Sequence, residues 1–280
     1  VVYRGLAQGQ FGRFGQGSQA KFVSGGPAYT QPYGLMSPAQ TFAMRVRRFM
    51  YDNNIGHEPL KAISMASYYH AQSNPRAVMH GRPLSEEDYE NSRWIVEPFR
   101  LFDCCMENDG AAAVIVTTAE RARDLKQKPA YVLAASQGSD YRQAAGAHNA
   151  PDYGTSNFKT VAARLYGQAG IGPKDVDVCQ SYENFTGGVM MSLVEHGFCA
   201  PDEVEDFMTL ENFKVGTGKL PLNTSGGNLA ECYMHGLELI TEAVRQLRGT
   251  STAQVNDPRI SMVCSGPMVQ PVSSLILCKE

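Results

Sequence analysis

The stretch Leu220-Pro221-Leu222-Asn223-Thr224-Ser225-Gly226-Gly227-Asn228-Leu229-Ala230-Glu231-Cys232-Tyr233-Met234-His235-Gly236 decides how this chain is read. Asn223 and the Gly226-Gly227 pair read as a tight turn into a helix, because glycine enters the left-handed backbone region without a Cβ penalty. Beyond the turn, Leu237, Ile240, Val244 and Leu247 recur at helical spacing before Gly249, which predicts one helix over 229–247 closed by a glycine cap. Working outward, Val176, Val178 and Cys179 predict a strand, and 189–196 a helix ending at Gly197. Segments 260–264 and 274–278 read as two final strands, and 131–135 as an earlier one. Phe158, Val161, Ala162, Leu165 and Tyr166 line one face of a helix that stops between Gly167 and Gly172. Strands and helices that alternate over short links define a layered α/β unit.

The upstream part is organised differently. Ser37-Pro38-Ala39 opens a helix, since serine caps and proline suits the first helical position, and Phe42, Val46 and Phe49 follow at its period. That helix is expected to end between Asn53 and Gly56. Residues 59–71 make a second helix, stopped by Asn74-Pro75, and Ser85-Glu86-Glu87-Asp88 opens a third with acidic residues on its N-terminal dipole. Asp109-Gly110-Ala111-Ala112-Ala113-Val114-Ile115-Val116 is a turn feeding an apolar run, read as a buried strand, with a short helix over 119–125. Residues 5–34 are rich in glycine and read as a long loop; their spacing does not match a phosphate-cradling G-x-G-x-x-G. Val1-Val2-Tyr3 reads as the end of a buried strand with no start signal before it, so the chain is expected to begin inside a fold.

Composition removes several function classes. With 280 residues, 43% of them hydrophobic, the chain can bury a full core. Its net charge of −3, from 25 basic and 28 acidic residues in mixed order, supplies no polybasic field for nucleic acid. The cysteines number seven with no C-x-x-C pair, which fits neither a disulfide framework nor a zinc ribbon and favours a reducing, cytoplasmic location. No apolar run approaches the roughly 20 residues of a membrane span, so no membrane partner is expected. His57 and His70 have no second ligand at metal spacing, and no metal is expected.

Four segments together resemble the thiolase superfamily. Asn223-Thr224-Ser225-Gly226-Gly227 with Gly236 resembles the family's N-x-x-G-G then G-H-P-x-G motif. Ser181-Tyr182-Glu183-Asn184-Phe185 stands where the family has N-E-A-F or H-D-C-F at a strand end. Cys264-Ser265-Gly266 matches the C-x-G of the last hairpin, and Asp109 to Ala113 the D-G-A-A-A segment. The likeness covers almost the whole chain and is closest to the sterol-carrier-protein thiolase branch. It implies an α/β thiolase-like fold of two similar halves layered αβαβα. Residues 1–127 would be the remainder of an incomplete first half, with an inserted loop domain over about 8–100, and 128–280 the second half. The resemblance further implies a homodimer and places the nucleophilic cysteine in a segment before Val1.

The departures point to the chemistry. Cys232, Tyr233 and Met234 stand where glycine, histidine and proline are expected, so Tyr233 replaces the histidine that activates the nucleophile. A phenol of pKa near 10 is a poor base for making a thiolate, whereas imidazole near 6.5 is well matched. Tyr182 takes the place of the asparagine or histidine that serves the thioester oxygen. Two phenols suit retro-aldol cleavage of a β-hydroxyacyl-CoA, in which a hydroxyl proton is removed and a thioester enolate is stabilised and protonated. One tyrosine with a lowered pKa would take the proton while the other donates, and Cys264, at the thiolase acid/base position, would be a second donor. The pattern resembles the steroid side-chain aldolases, which work with a partner carrying an OB-fold and often a zinc ribbon; CoA enters as part of the substrate and no bound cofactor is implied. Tyr182 and Tyr233 also admit a reading as buried aromatics, Cys264 as a small buried hydrophobe, and Cys104 and Cys105 as core residues. His235, two positions past Tyr233, is a secondary candidate expected to point elsewhere on the helix. A divergent thiolase and a non-catalytic CoA- or lipid-binding subunit stand as alternatives.

Overall fold

The computed structural model describes residues 1–11, 22–139 and 152–279; part of the glycine-rich stretch read as a loop, residues 12–21, lies outside them. Strand β1 (Val2–Leu6) runs into a short helix, α1 (Gln8–Phe11), where a loop was expected, and 3-10 turns follow over Gly26–Tyr29 and Gln31–Tyr33. Helix α2 (Pro38–Asn53) begins at a capping box in which Ser37 and Gln40 satisfy each other's backbone N–H, and ends at Asn54 in left-handed geometry. Helix α3 (Glu58–Ala71) carries proline in its first turn, and α4 (Glu86–Asn91) is capped by Ser85 and Asp88. A small ribbon, β2 (Trp94–Val96) with β3 (Phe99–Arg100), precedes β4 (Gly110–Val114) and α5 (Ala119–Arg123).

The second part is the layered unit. It comprises β5 (Tyr131–Gly138), α6 (Lys159–Ala169), β6 (Val178–Ser181), α7 (Thr186–Glu195) and the single-turn helices α8 (Val204–Phe207) and α9 (Leu210–Phe213). It closes with α10 (Leu237–Arg248), β7 (Ile260–Ser265) and β8 (Val272–Cys278). The four strands order as β5-β8-β7-β6, antiparallel except for the parallel β6–β7 pair. One face of this sheet, through Ala134, Cys179, Met262, Cys264 and Ile276, packs on Val161 and Leu165 of α6, Val189 and Leu193 of α7, and Val46 of α2. The other face, through Val263 and Leu277, packs on Leu239, Ala243 and Leu247 of α10. Each fully buried leucine among these contributes about 2 kcal/mol of transfer free energy. The alternation of Met262, Val263 and Cys264 between the faces follows from the two-residue period of a strand.

Two expectations are corrected. The apolar run at 110–114 forms a strand that is not buried among the described residues: β4 pairs antiparallel with β1, Val2 opposite Val114 and Leu6 opposite Gly110, and its side chains are exposed or half-buried there. Periodicity cannot report burial in so short a run. The helix predicted over 229–247 begins only at Leu237. Before it, Gly227–Glu231 forms a π-helical turn, Cys232 is extended, and His235 and Gly236 have φ of 54° and 86°. Backbone of that hand cannot continue a right-handed helix.

Candidate active site

Tyr182 stands one residue past the C-terminal end of β6, where its N–H donates to the Cys264 carbonyl at 2.9 Å and extends the β6–β7 ladder by one step. Asn223 fixes that strand end from the side: its Oδ1 accepts from Ser181 N–H at 2.7 Å and its Nδ2 donates to Ser181 O at 2.9 Å. The left-handed φ of 50° at Asn223 makes the two-point grip possible, and asparagine is among the few non-glycine residues that accept it. Tyr233 comes from the loop between the π-helical turn and α10, not from a helix. Its N–H donates to Asn108 Oδ1 at 2.8 Å, which ties the loop to the segment before β4.

These segments bring the phenols together. Tyr182 Oη and Tyr233 Oη are 2.6 Å apart in a mutual hydrogen bond, with ring centroids 6.0 Å apart, and each tyrosine is only 8% exposed. Gly236 permits the approach, since a Cβ there would meet the Tyr182 ring at 2.9 Å and Ser265 Oγ at 3.1 Å. Burial, the largest cause in each case, raises both phenols above the ordinary tyrosine value. Arg4 of β1 favours ionisation of Tyr233. The expected lowering of a phenol is therefore corrected: desolvation dominates, and both hydroxyls hold their protons at neutral pH.

The other sequence candidates divide. Cys264 does not join the tyrosines. Its side chain leaves β7 on the α6–α7 face, fully buried, with Sγ 3.8 Å from both nitrogens of the His196 ring. Burial raises this thiol well above its usual value and lowers His196 to about 4, so neither is charged at neutral pH. The physical reason is strand alternation, which puts Val263 and Ser265 on the tyrosine side instead. His235 is nearer than expected, its ring meeting Tyr233 edge-on at 5.0 Å between centroids; burial and Arg4 hold the imidazole below its ordinary value. Cys105 is half-buried rather than core, with its N–H on Asn184 O at 3.0 Å, and burial pushes its thiol up to about 12.

A row of buried polar groups behind the phenols was missed. Ser67 Oγ of α3 donates to Glu183 Oε1, and Glu183 Oε2 accepts from Asn228 N–H at 2.8 Å. Asn228 returns its Oδ1 to Glu183 N–H at 2.8 Å and donates Nδ2 to Glu238 Oε1, which also accepts from Gly236 N–H at 3.3 Å. Burial raises Glu183 and Glu238 to about 7 each. The signal available in the sequence was Glu183 next to Tyr182, and Glu238 on the apolar-looking first turn of α10. Among the described residues no cluster of three or more His, Cys, Asp or Glu could hold a metal ion, and no helix is long and apolar enough to cross a membrane.

A layered α/β sheet that ends on thiolase motifs, with paired phenols in place of the thiolase side chains, defines a thiolase-like protein of altered chemistry. The family model described as thiolase C-terminal domain-like matches residues 139–279. A steroid side-chain-cleaving aldolase of Thermomonospora curvata is 40% identical over 288 residues, taking in 99% of this chain and 72% of the relative. The 17-hydroxy-3-oxo-4-pregnene-20-carboxyl-CoA lyase of Mycobacterium tuberculosis is 41% identical over 284 residues, 99% of this chain and 73% of that one. A solved structure named Ltp2-ChsH2(DUF35) aldolase superposes with a TM-score of 0.90 at 40% identity, covering 99% of this chain and 71% of that chain. The chain belongs to the thiolase superfamily, in the branch of the steroid side-chain-cleaving aldolases.

Proposed function

We propose that this protein is an acyl-CoA carbon–carbon lyase that cleaves a β-hydroxyacyl-CoA, a steroid side-chain thioester, by a retro-aldol reaction at the Tyr182–Tyr233 pair. The observation that carries the reading is the 2.6 Å hydrogen bond between two buried phenols from separate segments. Tyr233 receives the substrate's hydroxyl proton as its own phenol proton passes across the shared hydrogen bond to Tyr182. The bond between the hydroxyl carbon and Cα then breaks, its electron pair forming a thioester enolate while the hydroxyl carbon becomes a ketone. In the same relay Tyr182 gives up its original proton to Cα, giving the shorter acyl-CoA, so that both phenols end protonated. Protons balance, nothing is oxidised or reduced, and no acyl-enzyme forms. A high phenol pKa suits a donor to carbon, because the proton stays in place until the basic enolate exists.

The relatives named above are a lyase of a steroid carboxyl-CoA and a side-chain-cleaving aldolase, which supports a polycyclic acyl part and CoA as substrate rather than bound cofactor. The similar solved structure, whose name pairs Ltp2 with ChsH2(DUF35), supports a partner subunit; we assign that role to an OB-fold protein with a zinc ribbon, beside a homodimer of this chain. Residues 1–127 then serve as the remainder of the first thiolase half and 128–280 as the second. The test is Tyr233→Phe, assayed for ketone and shorter acyl-CoA, with the intact mass of the protein followed in parallel. Loss of at least about 100-fold in kcat with no mass adduct is expected, the size of a general acid–base contribution. Unchanged turnover, or a stable acyl group on a cysteine, would overturn the reading.

A further inference from the structure

We propose that Asn108 positions Tyr233 for the reaction, and that the segment 104–109 to which it belongs is a strut setting the distance between the two phenols. The inference rests on the aldolase reading and assigns to it a positioning residue, one that acts through Tyr233 and does not touch the substrate.

The need for such a residue follows from the backbone. Tyr182 is held by the β6–β7 ladder, through its N–H on the Cys264 carbonyl. Tyr233 instead stands between the π-helical turn that ends at Glu231 and the left-handed pair His235 and Gly236, where neither strand nor helix runs. Cys232, extended at φ −170° and ψ 164°, turns the chain out of the π-helical turn, and the Tyr233 N–H that follows meets Asn108 Oδ1 at 2.8 Å. The Asn108 amide is itself oriented, because its Nδ2 donates to the Asp109 carbonyl at 3.3 Å.

The same segment holds the other phenol's side. Cys104 forms an antiparallel bridge with Phe185, and Cys105 N–H donates to Asn184 O at 3.0 Å, both in the turn that leaves Tyr182. Met106 N–H donates to Asn228 O at 3.2 Å, within the π-helical turn. Past Asn108, Asp109 Oδ1 accepts from Gly9 N–H at 2.9 Å, and Gly110 lies so close to Met234 that a Cβ there would meet its Cε at 2.8 Å. From Cys104 to Asn108 the chain spans at most about 14 Å. That length ties the strand end carrying Tyr182 to the loop carrying Tyr233. The phenols are 2.6 Å apart, and a hydroxyl pair at about 3.6 Å is no longer bonded, so a shift of about 1 Å in the Tyr233 loop opens the relay.

The experiment is steady-state cleavage of a β-hydroxyacyl-CoA by the intact protein as wild type, Asn108→Ala, Asn108→Asp, Tyr233→Phe and the double variant Asn108→Ala with Tyr233→Phe, with thermal unfolding of each. Asn108→Ala is expected to lose at least about tenfold in kcat with KM within about threefold, since a misplacement of about 1 Å costs on the order of 100-fold. Asn108→Asp, which keeps an oxygen where Oδ1 stands, is expected to return kcat to within about threefold of wild type. Because Asn108 acts through Tyr233, adding Asn108→Ala to Tyr233→Phe should lower kcat by less than about twofold more. Should Asn108→Ala fail to fold, Asn108→Ser, whose oxygen falls short of the Tyr233 N–H, is read by the same criteria. Wild-type kcat in Asn108→Ala, a loss that multiplies in full in the double variant, or an Asn108→Asp no better than Asn108→Ala overturns the proposal and leaves the aldolase reading intact. No ketone from wild type overturns both.

Discussion

Cys264 and Tyr182 are joined by a backbone hydrogen bond of 2.9 Å, yet their side chains work in different compartments. The thiol sits against His196 in the core under α6 and α7, so Cys264→Ala is expected to leave cleavage within about threefold and to cost about 1 kcal/mol of stability. A chemical denaturation curve beside a kcat measurement checks both; a drop in kcat on the scale expected for Tyr233→Phe would return the thiol to the site. Tyr182 and Tyr233 were legible because each stands at a motif position where the family carries a different side chain. Their coupling was not, since a 2.6 Å contact between residues 51 apart in sequence depends on the loop path between them. Ser265 and Glu238 escaped for a related reason: the motif letters identify positions, and the face a side chain takes is settled by packing.

At the scale of elements, the π-helical turn is what sets Tyr233 apart from α10. Gly227 holds φ of 54°, and a Cβ on it would overlap the Glu183 carboxylate. Gly227→Ala therefore combines left-handed strain with displacement of a buried, bonded carboxylate, an expected loss of about 2 kcal/mol. The check is the denaturation midpoint, and a variant as stable as wild type would contradict the packing described for the turn. Capped helices were read well from sequence: the boundaries of α2 and α3 fall within a residue or two of expectation, because Ser37, Pro38, Pro59 and Asn54 act locally. The helix drawn over 229–247 was eight residues too long at its start, because Leu229, Ala230 and Glu231 are good helix formers and the interruption at His235 and Gly236 is held by contacts with Asn108 and Tyr182.

For the whole molecule, buried titration sets an unusual pH response. Glu183, Glu195, Glu238, Glu242 and Asp103 are all raised by burial, so the folded chain holds more protons than the unfolded one above the ordinary carboxylate range. Their contribution is complete below that range and is lost as pH climbs through the folded values, about 7 for Glu183 and Glu238. His70 and His196, both lowered to about 4, act in the opposite sense, adding stability as pH rises from about 4 to 6.5. Above about 6.5 only the carboxylates remain, and the thermal midpoint is expected to fall between pH 6.5 and 8. A midpoint that rises over this interval would show that these carboxylates are ionised in the fold. The layered α/β architecture itself was legible from alternating apolar runs; the pairing of β1 with β4 was not, being a contact between segments about a hundred residues apart. One further consequence follows from the two-faced β7. Because neighbours on a strand leave on opposite sides, a slip of a single residue in the β6–β7 pairing would present the thiol of Cys264 to the phenols and withdraw the hydroxyl of Ser265. A thiol-lined pocket and a hydroxyl-lined one are thus separated by one peptide of register, a change that inheritance can make with an insertion or deletion and no new side chain at all.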